Sequence, residues 1–403
     1  VQAALAESSD TVIIAGSVRR WKETVGDIDI VIASAVPETT IETVTQLPLV
    51  EEVISRGRTK SSVILQGGIR SDVLVVPREM AGSALQYFTG SKEHNIALRA
   101  VALQKGYTLN EYGLFERNSK KKVAGESEKD IYHRLELQYI PPELRENRGE
   151  IEAAQQNALP NLVNLSQIKG DFHVHTEWSD GRDSVESILL KAQALHYCYI
   201  GICDHSQSSR IANGLSEEKL LDQNAFIKEV NDRVKGITVL SGIECDILPD
   251  GSLDYADSVL EQLDFVTASI HSRFTSSEKE NTQRVVSAME NPLVNIVAHP
   301  TCRIIGKRDP LPLDFETLFQ SAEDTKTALE INCYPDRLDL TDILIQRAVE
   351  AGVTLALGTD AHSIHDLDFM DLGVKTARRG WAEPKDILNT VPADNLSTIR
   401  YLR

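Results

Sequence analysis

The chain lacks any apolar run approaching the roughly 18–20 residues of a membrane span, and no signal peptide is visible, so no membrane partner is expected. Cysteine is scarce: Cys198, Cys203, Cys245, Cys302 and Cys333 are the five, and none form a C-x-x-C pair. A disulfide scaffold is thereby disfavoured, and because most lie in apolar strand-like stretches, reduced thiols in a cytoplasmic, bacterial-type protein are expected. Internal repeats and low-complexity tracts are absent as well. Positive charge is in deficit, with a formal net charge of −18, which at first argues against nucleic acid. Dividing the chain changes that: residues 1–136 hold 17 Lys+Arg against 18 Asp+Glu, and the remainder 25 against 42. Part of the downstream acidic excess can face divalent cations; the rest is solvated surface.

What is present is a soluble globular composition, 41% hydrophobic and 25% charged, in 403 residues, enough for two to three domains. Val1 to Glu7 reads as a helix without an initiating methionine. Thr11 to Ala15 reads as a buried strand that delivers Gly16-Ser17-Val18-Arg19-Arg20 to a helix start. Backbone N–H groups and a hydroxyl at such a turn suit an anion, and Arg19 and Arg20 add charge. In the next strand, Gly26 to Ile32, Asp27 and Asp29 share one face. Arg70 and Asp72 share a face of the strand that follows, Arg70 to Val76. Adjacent carboxylates repel unless a cation lies between them, so three of them beside a phosphate-gripping turn suit two magnesium ions and in-line phosphoryl transfer. The alternative is a set of solvated strand-edge acids. Tyr87-Phe88-Thr89-Gly90 then precedes Ser91, which caps a helix carrying Ile96, Ala100 and Leu103 and stopped by Gly106.

These motifs together resemble the palm and thumb of family X DNA polymerases. The resemblance implies that Asp27, Asp29 and Asp72 hold two catalytic Mg2+ (or Mn2+) ions and that Gly16, Ser17 and Arg20 grip the nucleotide phosphates. It further implies that Arg70 assists the primer end, that Tyr87, Phe88 and Gly90 pack the incoming sugar, and that Asn95 and Arg99 reach base and template. Val18 and Trp21 depart from the family pattern beside the phosphate turn. The helical DNA-gripping region that the family carries upstream, with its helix-hairpin-helix elements, is not in this chain, and Val1 is expected to begin a fragment.

Tyr139 to Gly149 is proline-led, charged and poor in apolar residues, which reads as a linker, with a short helix from Glu150 to Ala158 after it. Downstream one theme repeats. An apolar strand ends in a ligand-type residue and a helical segment follows. His173-x-His175 ends the first strand, with Asp180 five residues on; in a strand, side chains two apart leave the same face. His205, Glu244, His271 and His299 end the next four strands. The sixth, Thr327 to Asn332, ends without an assigned ligand, and the seventh leads into Asp360-x-His362. Parallel strands that share one mouth predict a barrel. Six histidines and three carboxylates without cysteine suit zinc, manganese or iron, enough for two or three ions that activate water and clamp phosphate oxygens.

This half resembles the PHP (polymerase and histidinol phosphatase) domain, which implies up to three Mn2+, Zn2+ or Fe2+ ions on those nine residues, with Glu244 as the bridging and catalytic ligand. Arg303 and Arg337 are candidate phosphate contacts, or equally surface arginines; His94, His133, His196 and His365 are expected to be structural. The two resemblances follow the bacterial PolX family arrangement. The expected fold is α/β multidomain: an α+β nucleotidyltransferase palm over residues 1–80, a small thumb over 81–136, a linker over 137–165 and a seven-stranded (βα)7 PHP barrel over 166–403. The expected protein is a monomeric DNA repair enzyme acting on gapped or 3′-recessed DNA with deoxynucleoside triphosphates. It would join gap-filling synthesis to a metal-dependent 3′–5′ exonuclease with abasic-site and 3′-phosphatase activity. A histidinol-phosphate-type small-molecule phosphatase and a non-catalytic scaffold are the alternatives.

Overall fold

The computed structural model describes residues 11–393 and 395, so the helix expected over Val1 to Glu7 lies outside the described residues. The chain divides into two compact units, Val1–Pro160 and Asn161–Arg403.

The first unit is built on a mixed five-stranded sheet, β1 (Thr11–Ile14), β2 (Asp27–Ala33), β3 (Val50–Arg56), β4 (Lys60–Leu65) and β5 (Ile69–Val76), in the order β1-β2-β5-β4-β3. β2 and β5 run parallel; the other pairs are antiparallel. The period-two pattern of β2 and β5 sends Ile30, Ile32, Val73 and Val75 to one face, against Ile41 and Val44 of the helix Pro37–Thr45. Val31, Leu74 and Val76 go to the other face, against Ala84 of the helix Ala81–Thr89. With both faces covered, the central strands are fixed in register, and that register sets Asp29 opposite Asp72 and Asp27 opposite Arg70. The helix Lys92–Gln104 follows, with the Ser91 hydroxyl accepting from His94 N at 3.1 Å as its expected cap. A small antiparallel sheet comes next: β6 (Tyr107–Asn110), β7 (Gly113–Glu116) and β8 (Lys122–Ala124).

The stretch expected as a linker is packed over most of its length. Ile140, Leu144 and Arg145 are fully buried, and Ile151 and Ala154 of the helix Glu150–Gln155 are buried too. Its charges look solvated in sequence but are paired internally. The Arg145 guanidinium donates to Glu128 Oε1 at 2.6 Å and lies over the Tyr132 and Tyr139 rings at 5.2 and 5.5 Å. His94 is structural here, held between Glu150 (2.7 Å) and the Tyr132 hydroxyl (2.9 Å).

The second unit alternates strands and helices. β9 (Gly170–Val174), β10 (Tyr199–Ile202) and β11 (Thr238–Ser241) form one parallel sheet, in the order β11-β10-β9. β12 (Glu244–Asp246), β13 (Thr267–Ser269), β14 (Ile296–Val297), β15 (Ala328–Asn332) and β16 (Leu355–Gly358) form a second, paired in sequence order. The strand expected to end at Glu244 is therefore interrupted after Ser241. Two parallel bridges connect the sheets at their edges, His205 with Glu244 and Val174 with Ala361. Near the other end the Asn389 side chain donates to the carbonyls of Gly170 (2.9 Å) and Leu357 (2.8 Å), satisfying backbone groups of both β9 and β16. Ser184, Ser216 and Thr341 cap the helices Val185–Ala194, Glu217–Arg233 and Asp342–Glu350, each hydroxyl accepting from a backbone N–H of the first turn. Cys203, Cys245, Cys302 and Cys333 are buried free thiols, and Cys198 is half-buried and free. Among the described residues no helix is long and apolar enough to cross a membrane.

Candidate functional site

In the first unit a cavity of about 560 Å3 opens over the carboxylate ends of β2 and β5. Gly16, Ser17, Arg20, Asp27, Asp29, Asp72, Tyr87, Phe88, Gly90, Asn95 and Arg99 all line it. Gly16 sits at φ +62, and a Cβ there would lie 2.1 Å from Asp29 Oδ2, so only glycine lets the turn approach the carboxylate. Burial, then the neighbouring charges of Asp27 and Asp72, raise the Asp29 carboxyl to about 6. That is the signature of a site short of positive charge. Arg70 stands outside the cavity lining and pairs with Asp72 Oδ2 at 3.0 Å, while the Ser62 hydroxyl donates to Asp72 Oδ1. Asn95 is oriented from both sides: Gln86 donates to its Oδ1 and it donates to the Tyr87 carbonyl, each at 2.7 Å. Arg99 lies 5.6 Å over the Tyr87 ring.

Arg19 departs from expectation. Its guanidinium turns from the Gly16-Ser17 turn to Glu128, with contacts of 2.9 and 2.6 Å, so it fastens the turn rather than charging the cavity. Lys60 and Lys92 line the cavity and were not singled out from sequence. Lys92 stands just after the Gly90-Ser91 pair, a signal available in the sequence; Lys60 reaches the site only through the pairing of β4 with β5.

In the second unit the ends of the strands converge on a pocket of about 670 Å3 lined by Asp180, His205, Glu244, His271, His299, Arg337, Asp360 and His362. Period two in β9 aims His173 and His175 the same way, and their rings stand 5.1 Å apart. Glu244 is at the centre. Its Oε2 lies 2.9, 3.6 and 3.7 Å from nitrogens of His205, His173 and His175, and its Oε1 lies 2.9 and 3.2 Å from those of His299 and His271. Asp360 Oδ1 is 3.2 Å from His175 Nε2, and Asp180 Oδ2 is 3.4 and 3.6 Å from His362 and His205. All nine expected residues thus meet in one place.

Their donor atoms fall into three overlapping groups, each within 4.8 Å: His175, Asp180, His205 and His362; His173, His175 and Asp360; His205, Glu244 and His271. His299 belongs to none of the three but bonds Glu244. The donor set fits divalent cations. His173 Nε2, both nitrogens of His175 and His299 Nδ1 are buried without a hydrogen-bond partner, and His205 Nδ1 and Glu244 Oε2, though 2.9 Å apart, are not aligned for a hydrogen bond, a costly arrangement for polar atoms that a cation would satisfy. Burial, then the nearby imidazole of His205, pushes His175 down to about 3, the neutral form a metal needs. Burial alone would raise Glu244 and Asp360, but the surrounding histidines hold both well below the usual carboxylate range.

A second layer of residues orients the first. Glu330 Oε1 faces His173 Nδ1 at 2.6 Å, while its Oε2 accepts from His299 N at 2.6 Å and from Asn332 Nδ2 at 3.1 Å. Asp246 faces His271 Nδ1 at 2.5 Å. Fixing one ring nitrogen in this way sets which nitrogen is left for a metal. Neither acid was singled out from sequence. Glu330 had a signal, since it alternates with Asn332 on the sixth strand as His173 does with His175. Asp246 lies two residues past Glu244 on β12 and had the same one.

Of the two candidate phosphate contacts, Arg337 reaches the pocket, 3.4 Å from Asp360 Oδ2 with a buried Nη1 lacking a partner. Arg303 does not. It donates to the backbone carbonyls of Arg337 (2.8 Å) and Leu338 and so braces the segment that presents Arg337. Burial explains the choice, because an interior guanidinium must spend its donors on nearby carbonyls.

Comparison with known proteins agrees with this division. Residues 84–146 match the DNA polymerase beta thumb family and residues 171–323 the PHP domain family. The chain is 42% identical over 377 residues to the DNA polymerase/3′-5′ exonuclease PolX of Bacillus subtilis (strain 168), covering 93% of this chain and 66% of that protein. It is 29% identical over 174 residues to a probable phosphatase of Thermoanaerobacter sp. (strain X514), covering 41% of this chain and 69% of that protein. A probable phosphatase of Syntrophotalea carbinolica is 28% identical over 238 residues, covering 57% of this chain and 94% of its own length. The more distant matches share only part of the chain, whereas the first spans both units, and the chain belongs to the PolX family, in which a polymerase beta-type thumb precedes a PHP domain.

Proposed function

We propose that this protein is a DNA repair enzyme with two metal-dependent centres, a gap-filling polymerase in the first unit and a 3′–5′ exonuclease in the second. The observation that carries the nuclease is the convergence of nine imidazole and carboxylate side chains, with orphaned buried nitrogens, from separate strand ends. Divalent cations would supply water activation and charge neutralisation at phosphate, which is the chemistry of phosphodiester hydrolysis. His173, His175, Asp180, His205, Glu244, His271, His299, Asp360 and His362 are the proposed ligands, with Glu244 bridging, because it alone lies within 3.7 Å of five imidazoles. Manganese, zinc or iron suits this donor set. Arg337 is proposed to hold the phosphate, and Glu330 and Asp246 to orient His173 and His271.

In the first unit Asp27, Asp29 and Asp72 are the proposed ligands for two Mg2+ or Mn2+ ions. Gly16, Ser17 and Arg20 would receive the triphosphate; Tyr87, Phe88 and Gly90, the sugar; Asn95 and Arg99, the base and template; and Arg70, paired with Asp72, would assist the primer end. The substrates proposed are gapped or 3′-recessed DNA and deoxynucleoside triphosphates, handled by a monomer in the cytoplasm. The palm (1–80), the thumb (from 81, with the packed segment beyond 136 added to it) and a PHP barrel of seven strands are the proposed divisions. The barrel reading is supported by the two edge bridges and by Asn389, which tie the sheets of the second unit together on both sides.

Replacing His173 by Ala, or Glu244 by Gln, is expected to abolish cleavage of a 3′-recessed duplex and to leave deoxynucleotide binding intact. Retained exonuclease would overturn the assignment. Turnover on histidinol phosphate in place of the duplex would establish the small-molecule phosphatase alternative, and a second unit that retains no metal would favour the scaffold.

A further inference from the structure

Among the described residues of the second unit, the most exposed large apolar side chain stands at the rim of its pocket. Ile211 has a relative exposure of 107%, that of a side chain in an extended peptide. It lines the same pocket as His205, Glu244 and Arg337, with exposed Arg210 beside it. Single exposed apolar residues are ordinary on protein surfaces. This one differs in how it is carried.

Its loop leaves directly from the candidate ligand His205 and returns at Leu215, whose N–H bonds the His205 carbonyl at 2.8 Å, with a Ser206–Leu215 bridge beside it. The closure is tight, since a Cβ on Gly214 would lie 1.9 Å from the Ser206 carbonyl oxygen. Inside the loop the hydroxyls of Ser208 and Ser209 both donate to Asp246 Oδ2, the latter at 3.1 Å, and Asp246 is the acid that holds His271. Asn213 donates to the Ser179 carbonyl at 3.2 Å, beside Asp180. A loop fastened to the pocket's own supports at both shoulders holds its tip, Arg210-Ile211, at a fixed place over the mouth. Leaving an isoleucine in water there gains nothing for folding.

The pocket, at about 670 Å3, falls within the roughly 300–1,000 Å3 range of small-molecule sites and takes a nucleotide rather than a duplex. Glu244, His173 and His299 are each 1% exposed, so the terminal base of a paired end must leave the stack for its phosphodiester to reach them. Apolar side chains such as isoleucine do this elsewhere by wedging between base steps, and a neighbouring cation offsets the phosphate charge.

We propose that Arg210-Ile211 is a strand-end wedge: Ile211 packs against the last base pair of a DNA 3′ end and displaces the terminal base, while Arg210 pairs with a backbone phosphate. This rests on the exonuclease reading of the pocket. It predicts that the wedge matters where a terminal base is paired and is dispensable where it is already free.

The test uses the full chain with a duplex carrying 2-aminopurine as its 3′-terminal base, a probe that brightens when unstacked, read in Ca2+ without turnover. The unmodified protein is expected to raise the fluorescence. Ile211→Ala is expected to abolish the rise with binding, followed by anisotropy, weakened less than about threefold, and Ile211→Phe to restore it. With Mn2+, Ile211→Ala should slow release from a paired 3′ end about tenfold while cleavage of single strands and of a mononucleotide nitrophenyl phosphodiester is unchanged. Equal loss on all substrates, or an unaltered 2-aminopurine response in Ile211→Ala, overturns the wedge. A fluorescence rise that needs Ile211, without cleavage of any substrate, supports the wedge and overturns the exonuclease reading instead.

Discussion

Glu330 is where a single side chain carries the most unshared responsibility. One of its oxygens faces the His173 ring and the other accepts from the backbone of His299 and from Asn332, so three parts of the pocket are aligned by one carboxylate. Glu330→Gln is expected to weaken metal binding about 10–100-fold, measured by titration of the chelator-stripped protein, with the fold unchanged by circular dichroism. An unaltered affinity would show that His173 is aligned by packing alone. Arg337 and Arg303 make a contrasting pair. Arg337→Ala is expected to lower phosphodiester turnover by roughly 100-fold, because its guanidinium faces the pocket. Arg303→Ala should act first on thermal stability, since its donors are spent on backbone carbonyls. Steady-state kinetics and melting curves on both variants separate the roles, and the reverse pattern would exchange them.

At the scale of elements, the Gly16–Arg20 turn is held by a buried charge network rather than by its own four-residue helix, which is too short to be stable alone. Arg19 at the end of that helix and Arg145 of the packed segment both pair with Glu128, at 2.6 Å each. Burial alone would raise the Glu128 carboxyl, but Arg145 and Arg19 outweigh it and bring it down to about 2 from an ordinary 4.5. Since the folded-state value lies below the unfolded one, this pairing stabilises fully above pH 4.5 and is lost as pH falls toward about 2. Glu128→Gln is expected to cost a few kcal/mol at pH 7, with the difference from the unmodified protein shrinking through that window in urea unfolding curves. A pH-independent difference would mean that packing, not charge, is lost. Gly16→Ala tests the neighbouring turn. The added methyl would clash with Asp29 at a φ that favours glycine, so deoxynucleotide affinity should fall by about tenfold or more in equilibrium binding.

For the whole molecule, the division at Pro160 and Asn161 makes a simple forecast. The second unit keeps its own opening contacts, with Asn161 N donating to Glu383 at 2.8 Å and Val163 N to the Ala382 carbonyl at 3.0 Å. A chain starting at Asn161 is therefore expected to fold and to retain its metal, and chelation should lower its melting transition. Loss of cooperative unfolding in the isolated piece would argue that the units depend on each other.

Legibility from sequence followed the range of the interaction. Alternation placed Asp27 with Asp29 and His173 with His175, because period two is a property of one strand. The cap at Ser91 was readable for the same local reason. The nine pocket residues were legible as a recurring pattern at and just after strand ends, and the absence of cysteine among them pointed away from a structural thiolate site. Which acids orient the rings, which of Arg303 and Arg337 enters the pocket, and why Arg19 turns to Glu128 required the folded chain. So did the packing of residues 139–149, whose charges look solvated until Glu128, Tyr132 and Tyr139 surround Arg145. Spacing along a strand determines which way a side chain leaves the backbone; only the fold decides what it meets there, because a guanidinium or carboxylate takes its role from partners tens or hundreds of residues away.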